Sequence, residues 1–187
     1  MTQHSEPHVL VIGSGSISVT RLPAYLTALK EQRWAIKCIL TPSATHLIQP
    51  LAIAAFVDTF VDGESWGSSV ARVPHIDLTV WADVVVVLPA TANFIGQVAG
   101  GLAPNLATTA VLSSAKPVIF YPNVAESMAR KPVLRRNIEL LRVDGYVVHT
   151  EFQSLYSVSL DRNVESWGMP TVDVVISHIQ DAMAETL

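Results

Sequence analysis

Short apolar segments alternate with longer amphipathic segments along this chain. Five of the short segments are apolar nearly throughout, which predicts strands buried on both faces of a sheet. These predicted strands are residues 8–12, 35–40, 84–88, 117–121 and 145–149. Helical periodicity covers residues 21–32, 44–55, 76–82, 92–101, 107–114 and 125–144, the last with a predicted break at Pro132. This order predicts an α/β fold of Rossmann-like type, a parallel sheet with helices on both faces.

Two stretches match neither pattern. Residues 62–72 are rich in Gly and Ser, and residues 151–170 form a long irregular passage that carries Tyr156 and Trp167. Unstructured passages of this length in compact domains are commonly lids, so we expect residues 151–170 to close over a substrate. Apart from a polar tail at residues 1–7, the composition does not change along the chain, and we expect a single domain over residues 1–187.

The composition narrows the classes of partner. Asp and Glu outnumber Lys and Arg by 16 to 12, and no basic stripe with interleaved aromatics occurs, so nucleic acid is not an expected partner. No apolar run approaches the roughly 20 residues of a membrane span, and the tail is no signal peptide, which predicts a soluble, cytoplasmic protein with no membrane partner. Charged residues make up only 15% of the chain and hydrophobic residues 50%. This apolar surplus predicts subunit interfaces.

The single cysteine, Cys38, lies inside the apolar segment 35–40. A buried strand residue is the simplest interpretation, and one cysteine supports neither a disulfide framework nor a thiolate metal site. The chain also lacks an H-E-x-x-H motif and a cysteine cluster. No metal site is therefore expected.

Small and hydroxyl residues follow the first two predicted strands. Residues 13–18 read Gly-Ser-Gly-Ser-Ile-Ser, and residues 41–45 read Thr-Pro-Ser-Ala-Thr. The carboxyl ends of parallel strands are where such sheets bind ligands, and hydroxyls at a helix start suit a phosphate. Ser18 replaces the third glycine of the dinucleotide pattern, and no acidic residue ends the second strand, so a mononucleotide fits better. The alternative is that both segments are ordinary turns and helix caps.

A third segment, Pro-Ala-Thr-Ala-Asn at residues 89–93, follows the predicted strand 84–88. Upstream of that strand, His75 stands at the start of the predicted helix 76–82. The positive end of a helix disfavours the imidazolium ion, which leaves a neutral base available near neutral pH. A lone histidine is more often structural, so this pattern alone leaves both roles open.

Four ordered blocks carry a resemblance to a known family. They are His-Ile-Asp-Leu at residues 75–78, Trp-Ala-Asp at 81–83, Pro-Ala-Thr-Ala-Asn at 89–93 and Ala-Gly-Gly-Leu-Ala-Pro-Asn-Leu at 99–106. From about residue 9 to about residue 148, the chain resembles the homo-oligomeric flavin-containing cysteine decarboxylases. That family includes phosphopantothenoylcysteine decarboxylase and the peptidyl-cysteine decarboxylases of lanthipeptide and linaridin biosynthesis.

The resemblance implies a cofactor, an assembly and a set of site residues. It implies FMN as the cofactor, His75 as the active-site histidine and a homo-oligomer that is a trimer or a dodecamer. Thr108 and Thr109 fall where the family supplies hydroxyls near the flavin of a neighbouring subunit. The other residues implied to bind FMN are Gly13, Gly15, Ser16, Ile17, Ser43, Thr91, Ala92, Asn93 and Asn123.

One departure from the family concerns the substrate. The family usually carries Pro-x-Met-Asn after the strand predicted at 117–121, and its Asn contacts the substrate carboxyl region. This chain reads Pro-Asn-Val-Ala at residues 122–125, and Ala125 has no hydrogen-bonding side chain. Either other residues hold the substrate or activity has been lost. The predicted substrate-binding residues are Asn123, Met128, Tyr156 and Trp167.

The chemistry that the resemblance implies begins with an oxidation. A carboxylate leaves as CO2 only if the electron pair left behind has an acceptor, and oxidation of the cysteine side chain to a thioaldehyde provides one, leaving an enethiol. The coenzyme A branch must reduce the enethiol again, and the resemblance implies a late cysteine for that step. Cys38 lies far upstream, which favours the peptide branch, with a precursor peptide ending in cysteine as substrate and O2 as the candidate oxidant of the flavin. The alternatives are phosphopantothenoylcysteine decarboxylase, a flavin prenyltransferase and a non-catalytic partner-binding relative.

Overall fold

Two sheets organise the chain in a computed structural model that describes residues 6–61, 73–157 and 160–185. The first sheet has six parallel strands in the order β3-β2-β1-β4-β5-β7, and the second has three antiparallel strands in the order β6-β9-β8. The strands are β1 His8–Gly13, β2 Ala35–Leu40, β3 Asp58–Val61, β4 Val84–Ala90, β5 Val118–Pro122, β6 Val124–Ala125, β7 Val147–Val148, β8 Phe152–Ser157 and β9 Arg162–Trp167.

Helices follow most strands of the parallel sheet. A 3-10 helix at Ile17–Arg21 leads into α1, and a proline stands in the first turn of α1, α2, α3, α4 and α8, where a missing N–H costs nothing. The α-helices are α1 Leu22–Glu31, α2 Pro42–Thr45, α3 Pro50–Ala54, α4 Pro74–Trp81, α5 Ala92–Ala99, α6 Leu106–Ser113, α7 Glu126–Ala129, α8 Pro132–Val143 and α9 Val172–Ala184.

The parallel sheet is buried on both faces, as the apolar segments predict. Along β1, Leu10 and Ile12 face a core that α4, α5, α6 and α8 complete, whereas Val9 and Val11 face a second core completed by α1, α3 and α9. This alternation follows from the two-residue repeat of a strand. The predicted α/β fold is confirmed.

The strand order creates a crevice at one place. From β1 the chain steps outward to β2 and β3, and it then returns to place β4 on the other side of β1. The connections that follow β1 and β4 therefore diverge, which opens a crevice outside their carboxyl ends. The Leu88–Pro89 peptide bond near this end of β4 is cis.

Several predicted element bounds are wrong. Residues 44–55 form two short helices, α2 and α3, because Pro50 starts a new one. Residues 151–170 are not irregular: they contain β8 and β9, a hairpin that pairs with β6. Most of its residues are exposed or half-buried and many are polar, so it lacks the apolar run of a buried strand. Both β3 and α9 were not predicted, while the predicted break at Pro132 is confirmed. The loop predicted at 62–72 lies outside the described residues.

Candidate functional site

A cavity of about 270 Å³ lies at the crevice between the carboxyl ends of β1, β2 and β4. Small and polar side chains dominate its wall, which suits a ligand rich in oxygen atoms. The lining residues are Ser14, Gly15, Thr41, Pro42, Ser43, Thr91, Asn93, Phe94, Gln97 and Asn105.

Ser14 ties the two central strands together at the base of the cavity. Its Oγ donates to the Pro89 carbonyl at 2.7 Å and accepts from the Thr91 backbone N–H at 2.9 Å. Its own N–H also donates to the Pro89 carbonyl, at 3.2 Å. Because Ser14 is buried and fully engaged, it fixes the separation of the walls.

Gly15 brings the backbone of the first turn against Ser43. A Cβ atom built on Gly15 would lie 2.4 Å from the Ser43 Cβ, far closer than two non-bonded carbon atoms can approach. Glycine is therefore required for this close approach between two residues that line the cavity.

Thr41 contributes a buried hydroxyl to the cavity wall. The side chain is only 6% exposed, and its Oγ1 has no hydrogen-bond partner among the described residues. Leaving such a group unsatisfied costs about 1–3 kcal/mol, so a ligand oxygen at this place would stabilise the site. The cradle at Gly15 and the hydroxyl of Thr41 both fit the phosphate and ribityl oxygens of FMN, the cofactor that the resemblance implies.

Two helices begin beside the cavity. Thr91 caps α5 by accepting from the Phe94 N–H at 3.3 Å, and Asn105 caps α6 by accepting from the Thr108 N–H at 3.0 Å. Asn93 and Phe94 in the first turn of α5 also line the cavity. The positive ends of both eight-residue helices therefore favour an anionic ligand here.

Asn123 joins the first turn to the hairpin. Its Oδ1 accepts from the Ser16 hydroxyl, its Nδ2 donates to the Trp167 carbonyl at 3.4 Å, and its backbone N–H donates to the Ala90 carbonyl at 2.9 Å. Ala125 is exposed on β6, where it pairs with Ser166 of β9. The hairpin predicted to close over a substrate is thus attached directly to this amide.

His75 is the second residue of α4 and is half-buried. It does not line the cavity, but α4 packs against α6, whose cap Asn105 does. The proposed role of His75 as a base stays a prediction.

The remaining predicted site residues fall into three groups. Gly13, Ser16 and Ala92 are sequence neighbours of lining residues, and Asn123 bonds to Ser16, but none of these four lines the cavity. Ile17, Met128 and Tyr156 are exposed, and the Tyr156 hydroxyl donates to Asp161. Thr108 is fully buried, and the hydroxyls of Thr108 and Thr109 both donate to Asn105. Their predicted contact with the flavin of a neighbouring subunit stays a prediction.

Sequence reasoning missed four polar residues of the cavity wall: Ser14, Thr41, Gln97 and Asn105. Ser14 and Thr41 belong to the two turns singled out in the sequence, and Asn105 stands before a predicted helix, as a cap does. Gln97 lies inside α5 and carries no sequence signal of its own.

Cys38 is fully buried in β2, and burial raises the pKa of its thiol to about 12. A neutral, inaccessible thiol is neither a nucleophile nor a redox partner. In the described part of the chain, no three His, Cys, Asp or Glu side chains are placed to hold a metal ion, and no helix has the length and apolar character needed to cross a bilayer.

Comparisons with known proteins agree on one family. A family model described as Flavoprotein matches residues 1–184. The mersacidin decarboxylase of a Bacillus strain is 33% identical over 178 residues, which cover 94% of this chain and 91% of the relative.

Three solved structures are similar over more than nine-tenths of the chain. A mutant PPC decarboxylase complexed with pantothenoylaminoethenethiol has a TM-score of 0.85 at 25% identity, covering 94% of this chain and 97% of its own. SpaF, an FMN-dependent cysteine decarboxylase, has a TM-score of 0.79 at 27% identity, covering 96% of each chain. A variant of EpiD complexed with the substrate peptide DSYTC has a TM-score of 0.82 at 25% identity, covering 92% of this chain and 98% of its own.

Proposed function

Because the chain belongs to the Flavoprotein family, we propose that it is an FMN-dependent decarboxylase acting on the C-terminal cysteine of a precursor peptide. The observation that carries this proposal is the cavity where β1 and β4 end, in which the backbone at Gly15 closely approaches Ser43 and the buried Thr41 hydroxyl has no hydrogen-bond partner among the described residues. The similarity to mersacidin decarboxylase and SpaF supports both the reaction class and the cofactor.

The protein's own groups account for binding and proton transfer. Thr41 would donate to a phosphate or ribityl oxygen of FMN, and the positive ends of α5 and α6 would stabilise its anionic group. Bound FMN supplies a two-electron acceptor for the Cα–Cβ–S unit of the substrate cysteine. His75 takes the thiol proton as that unit becomes a thioaldehyde. CO2 then leaves, its bonding pair passes to the C=S group, and protonation gives the aminoenethiol.

The cysteine content favours a peptide over the coenzyme A precursor. Returning an enethiol to a saturated thiol requires a reductant, and the one cysteine of this chain is buried with a pKa of about 12. The enethiol would therefore be the product, and O2 is the candidate oxidant that would return bound FMN to its oxidised form. Phosphopantothenoylcysteine remains the second candidate substrate because of the similarity to PPC decarboxylase.

Substrate binding centres on Asn123 and the hairpin. Asn123 has one donor hydrogen beyond its bond to the Trp167 carbonyl, and it stands two residues before Ala125, where the resemblance expects an amide. Asn123, Met128, Tyr156 and Trp167 are the residues that we expect to contact the peptide.

Exposed apolar side chains support assembly. Ile76 and Val80 lie exposed on α4, and Leu102 is exposed in the loop after α5. Burying such side chains between copies removes apolar surface from water. We expect a homotrimer or a dodecamer built from trimers.

The test combines cofactor release with turnover. The purified protein is denatured and its chromophore identified, and the native holoenzyme is then incubated with Cys-terminal peptides and with phosphopantothenoylcysteine. We expect FMN, CO2 release and a peptide mass loss of about 46 Da, equal to CO2 plus two hydrogens. FAD, or no chromophore after reconstitution with FMN, contradicts the cofactor. If phosphopantothenoylcysteine is the only substrate turned over, the protein is a phosphopantothenoylcysteine decarboxylase and the peptide substrate is excluded. Activity that appears only in Ala125→Asn identifies a degenerate binding relative.

A further inference from the structure

A second cavity lies away from the cofactor site, between α8 and the β8–β9 hairpin. This groove has a volume of about 320 Å³, and its wall is formed by Arg135, Ile138, Glu139, Arg142, Thr150, Phe152 and Trp167. Ile138 is buried on α8, while Phe152 and Trp167 are paired residues at the base of the hairpin, with ring centroids 5.8 Å apart. The groove therefore combines apolar side chains with two guanidinium groups and one carboxylate, that of Glu139, which is already paired with Arg142.

The helix beside the groove and the two residues before it carry a local excess of positive charge in an acidic protein. Five of the 12 Lys and Arg residues lie within residues 130–142, three of them on α8, against one acidic residue, Glu139; Arg130 pairs with Glu126 at 2.7 Å. The chain as a whole carries a formal charge of −4. A local excess of positive charge attracts an anionic ligand to this part of the surface.

The two arginines of the groove are placed differently. Arg142 is anchored, since its Nη2 donates to the Val148 carbonyl and the Thr150 hydroxyl, each at 2.9 Å, and its Nη1 lies 3.8 Å from Glu139. Arg135 donates only through Nε, to the Ala129 carbonyl at 3.3 Å, and has no carboxylate within 4.0 Å among the described residues. Both amino groups of Arg135 are therefore available to a carboxylate.

Trp167 connects the groove to the cofactor site. Its side chain lines the groove, is only 6% exposed, and holds Nε1 without a hydrogen-bond acceptor in the part of the chain that the structure describes. Its carbonyl accepts from Asn123, which in turn accepts from Ser16 of the first turn. A chain that places its terminal cysteine near Asn123 would need few residues to reach the groove.

We infer that the groove between α8 and the hairpin binds an acidic side chain of the precursor peptide, a few residues before its C-terminal cysteine, with Arg135 as the principal partner of the carboxylate. This inference rests on the proposed function. Ile138 and Phe152 pack against the aliphatic part of that segment, and Trp167 Nε1 offers a donor to its oxygen atoms. A nucleic acid fits less well, because the negative net charge of the chain repels a polyanion that extends beyond one groove.

The experiment moves one acidic residue along the substrate. Decamer peptides ending in cysteine carry a single Asp at each preceding position in turn, and each is matched by the same peptide with Asn. Turnover by the FMN-loaded enzyme is compared among the wild type, Arg135→Gln, Arg142→Gln and Arg136→Gln. The last variant is the matched control, since it removes one charge from the same helix but from a residue outside the groove.

We expect Asp at one or two adjacent positions to lower KM about tenfold relative to Asn, with kcat unchanged, because a charge-assisted hydrogen bond forms at a distance from the reacting atoms. Arg135→Gln abolishes this difference and Arg136→Gln retains it. If Arg142→Gln fails to fold, Arg135→Gln still tests the inference, because that substitution removes only one hydrogen bond within the protein, the bond to the Ala129 carbonyl.

Three results would overturn the inference: equal KM for every Asp and Asn pair, an equal loss in Arg136→Gln, or competition by a single-stranded oligonucleotide at the same concentration as the Asp peptide. If no peptide is decarboxylated, the proposed function fails. Fluorescence anisotropy of the same labelled peptides then tests the groove separately, by whether Asp tightens binding and Arg135→Gln reverses it.

Discussion

Single atoms decide what the cofactor cavity accepts. At Gly15 the absence of a Cβ atom matters, because a Cβ there would overlap Ser43. At Thr41 the hydroxyl matters, because it has no hydrogen-bond partner among the described residues. Both features are costly in the absence of a ligand, one in chain entropy and one in an unmet hydrogen bond. Residues of this kind mark a site more clearly than well-packed residues do.

Substitution of Gly15 tests this view of the cavity. In Gly15→Ala the new methyl group lies 2.4 Å from the Ser43 Cβ, so the turn must shift. Overpacking costs about 1–3 kcal/mol, and we expect FMN affinity about tenfold or more lower, measured by flavin fluorescence titration. The matched control is Gly96→Ala in α5, where the nearest atom to a new Cβ is 3.5 Å away and FMN affinity should not change. Equal affinities in wild type and Gly15→Ala would show that the ligand does not use this turn.

Substitution of His75 tests the proposed base. His75→Asn keeps a polar side chain at the second position of α4 but cannot accept a proton near neutral pH, and loss of a general base lowers rates by about 10² to 10⁴. We expect the turnover rate of the Cys-terminal peptide to decrease by a factor in that range. The flavin content of the purified variant should equal that of the wild type. Turnover within about tenfold of wild type would remove His75 from the chemistry.

Secondary-structure elements bring together titratable side chains that are distant in sequence. His149, after β7, and His178, on α9, stack with ring centroids 3.7 Å apart and planes 2° from parallel. Tyr121, at the end of β5, stacks on His149 at 5.4 Å, and its hydroxyl lies 3.2 Å from His178 Nδ1. Burial lowers the pKa of His149, and the neighbouring His178 and Arg142 lower it further against the opposing effect of Glu151.

This pair predicts how stability depends on pH. The pKa of His149 in the folded protein lies below its ordinary value of 6.5, so at pH values between these two pKa values the unfolded chain binds more protons than the folded one. Stability therefore falls as the pH drops below about 6.5. We expect the Tm to fall from about pH 7.5 to about pH 5.5, with a smaller fall in His149→Gln, measured by differential scanning fluorimetry. The control His46→Gln removes an exposed histidine and should keep the wild-type dependence. An unchanged dependence in His149→Gln would assign the effect to other groups.

At the scale of the whole molecule, the chain has more apolar surface than its two cores bury. Val80 on α4 is 77% exposed beside Ile76, and Val143 at the end of α8 is 76% exposed beside Leu140, which is 42% exposed. Contiguous apolar surface marks an interface, whereas single exposed apolar residues are ordinary.

Substitution of the two valines compares the α4 face, which we expect to form the interface, with the α8 face. Lysine near the last turn of either helix is compatible with the helix dipole, so neither substitution should unfold the subunit. We expect Val80→Lys to shift the protein to a smaller species in size-exclusion chromatography with light scattering, and Val143→Lys to elute as the wild type does. A wild-type mass for Val80→Lys would exclude the α4 face from the interface.

Much of the fold could be predicted from local pattern alone. A strand buried on both faces must be apolar at consecutive positions, and β1, β2 and β4 show this, so the parallel sheet and its flanking helices were predictable. Small and hydroxyl residues after β1 and β2 also indicated the edge of the sheet where Gly15 and Ser43 meet. The four ordered blocks indicated the family that the comparisons confirm.

Only the tertiary structure decided which distant residues meet. The hairpin was missed because a largely exposed pair of strands has no apolar run. Other features join segments separated by dozens of residues: the groove, the stack of His149 on His178, and the link from Ser16 through Asn123 to Trp167. Local sequence shows how often buried positions repeat along the chain and which conformations the backbone can adopt. Such contacts depend instead on the path of the chain between elements, which local periodicity does not record.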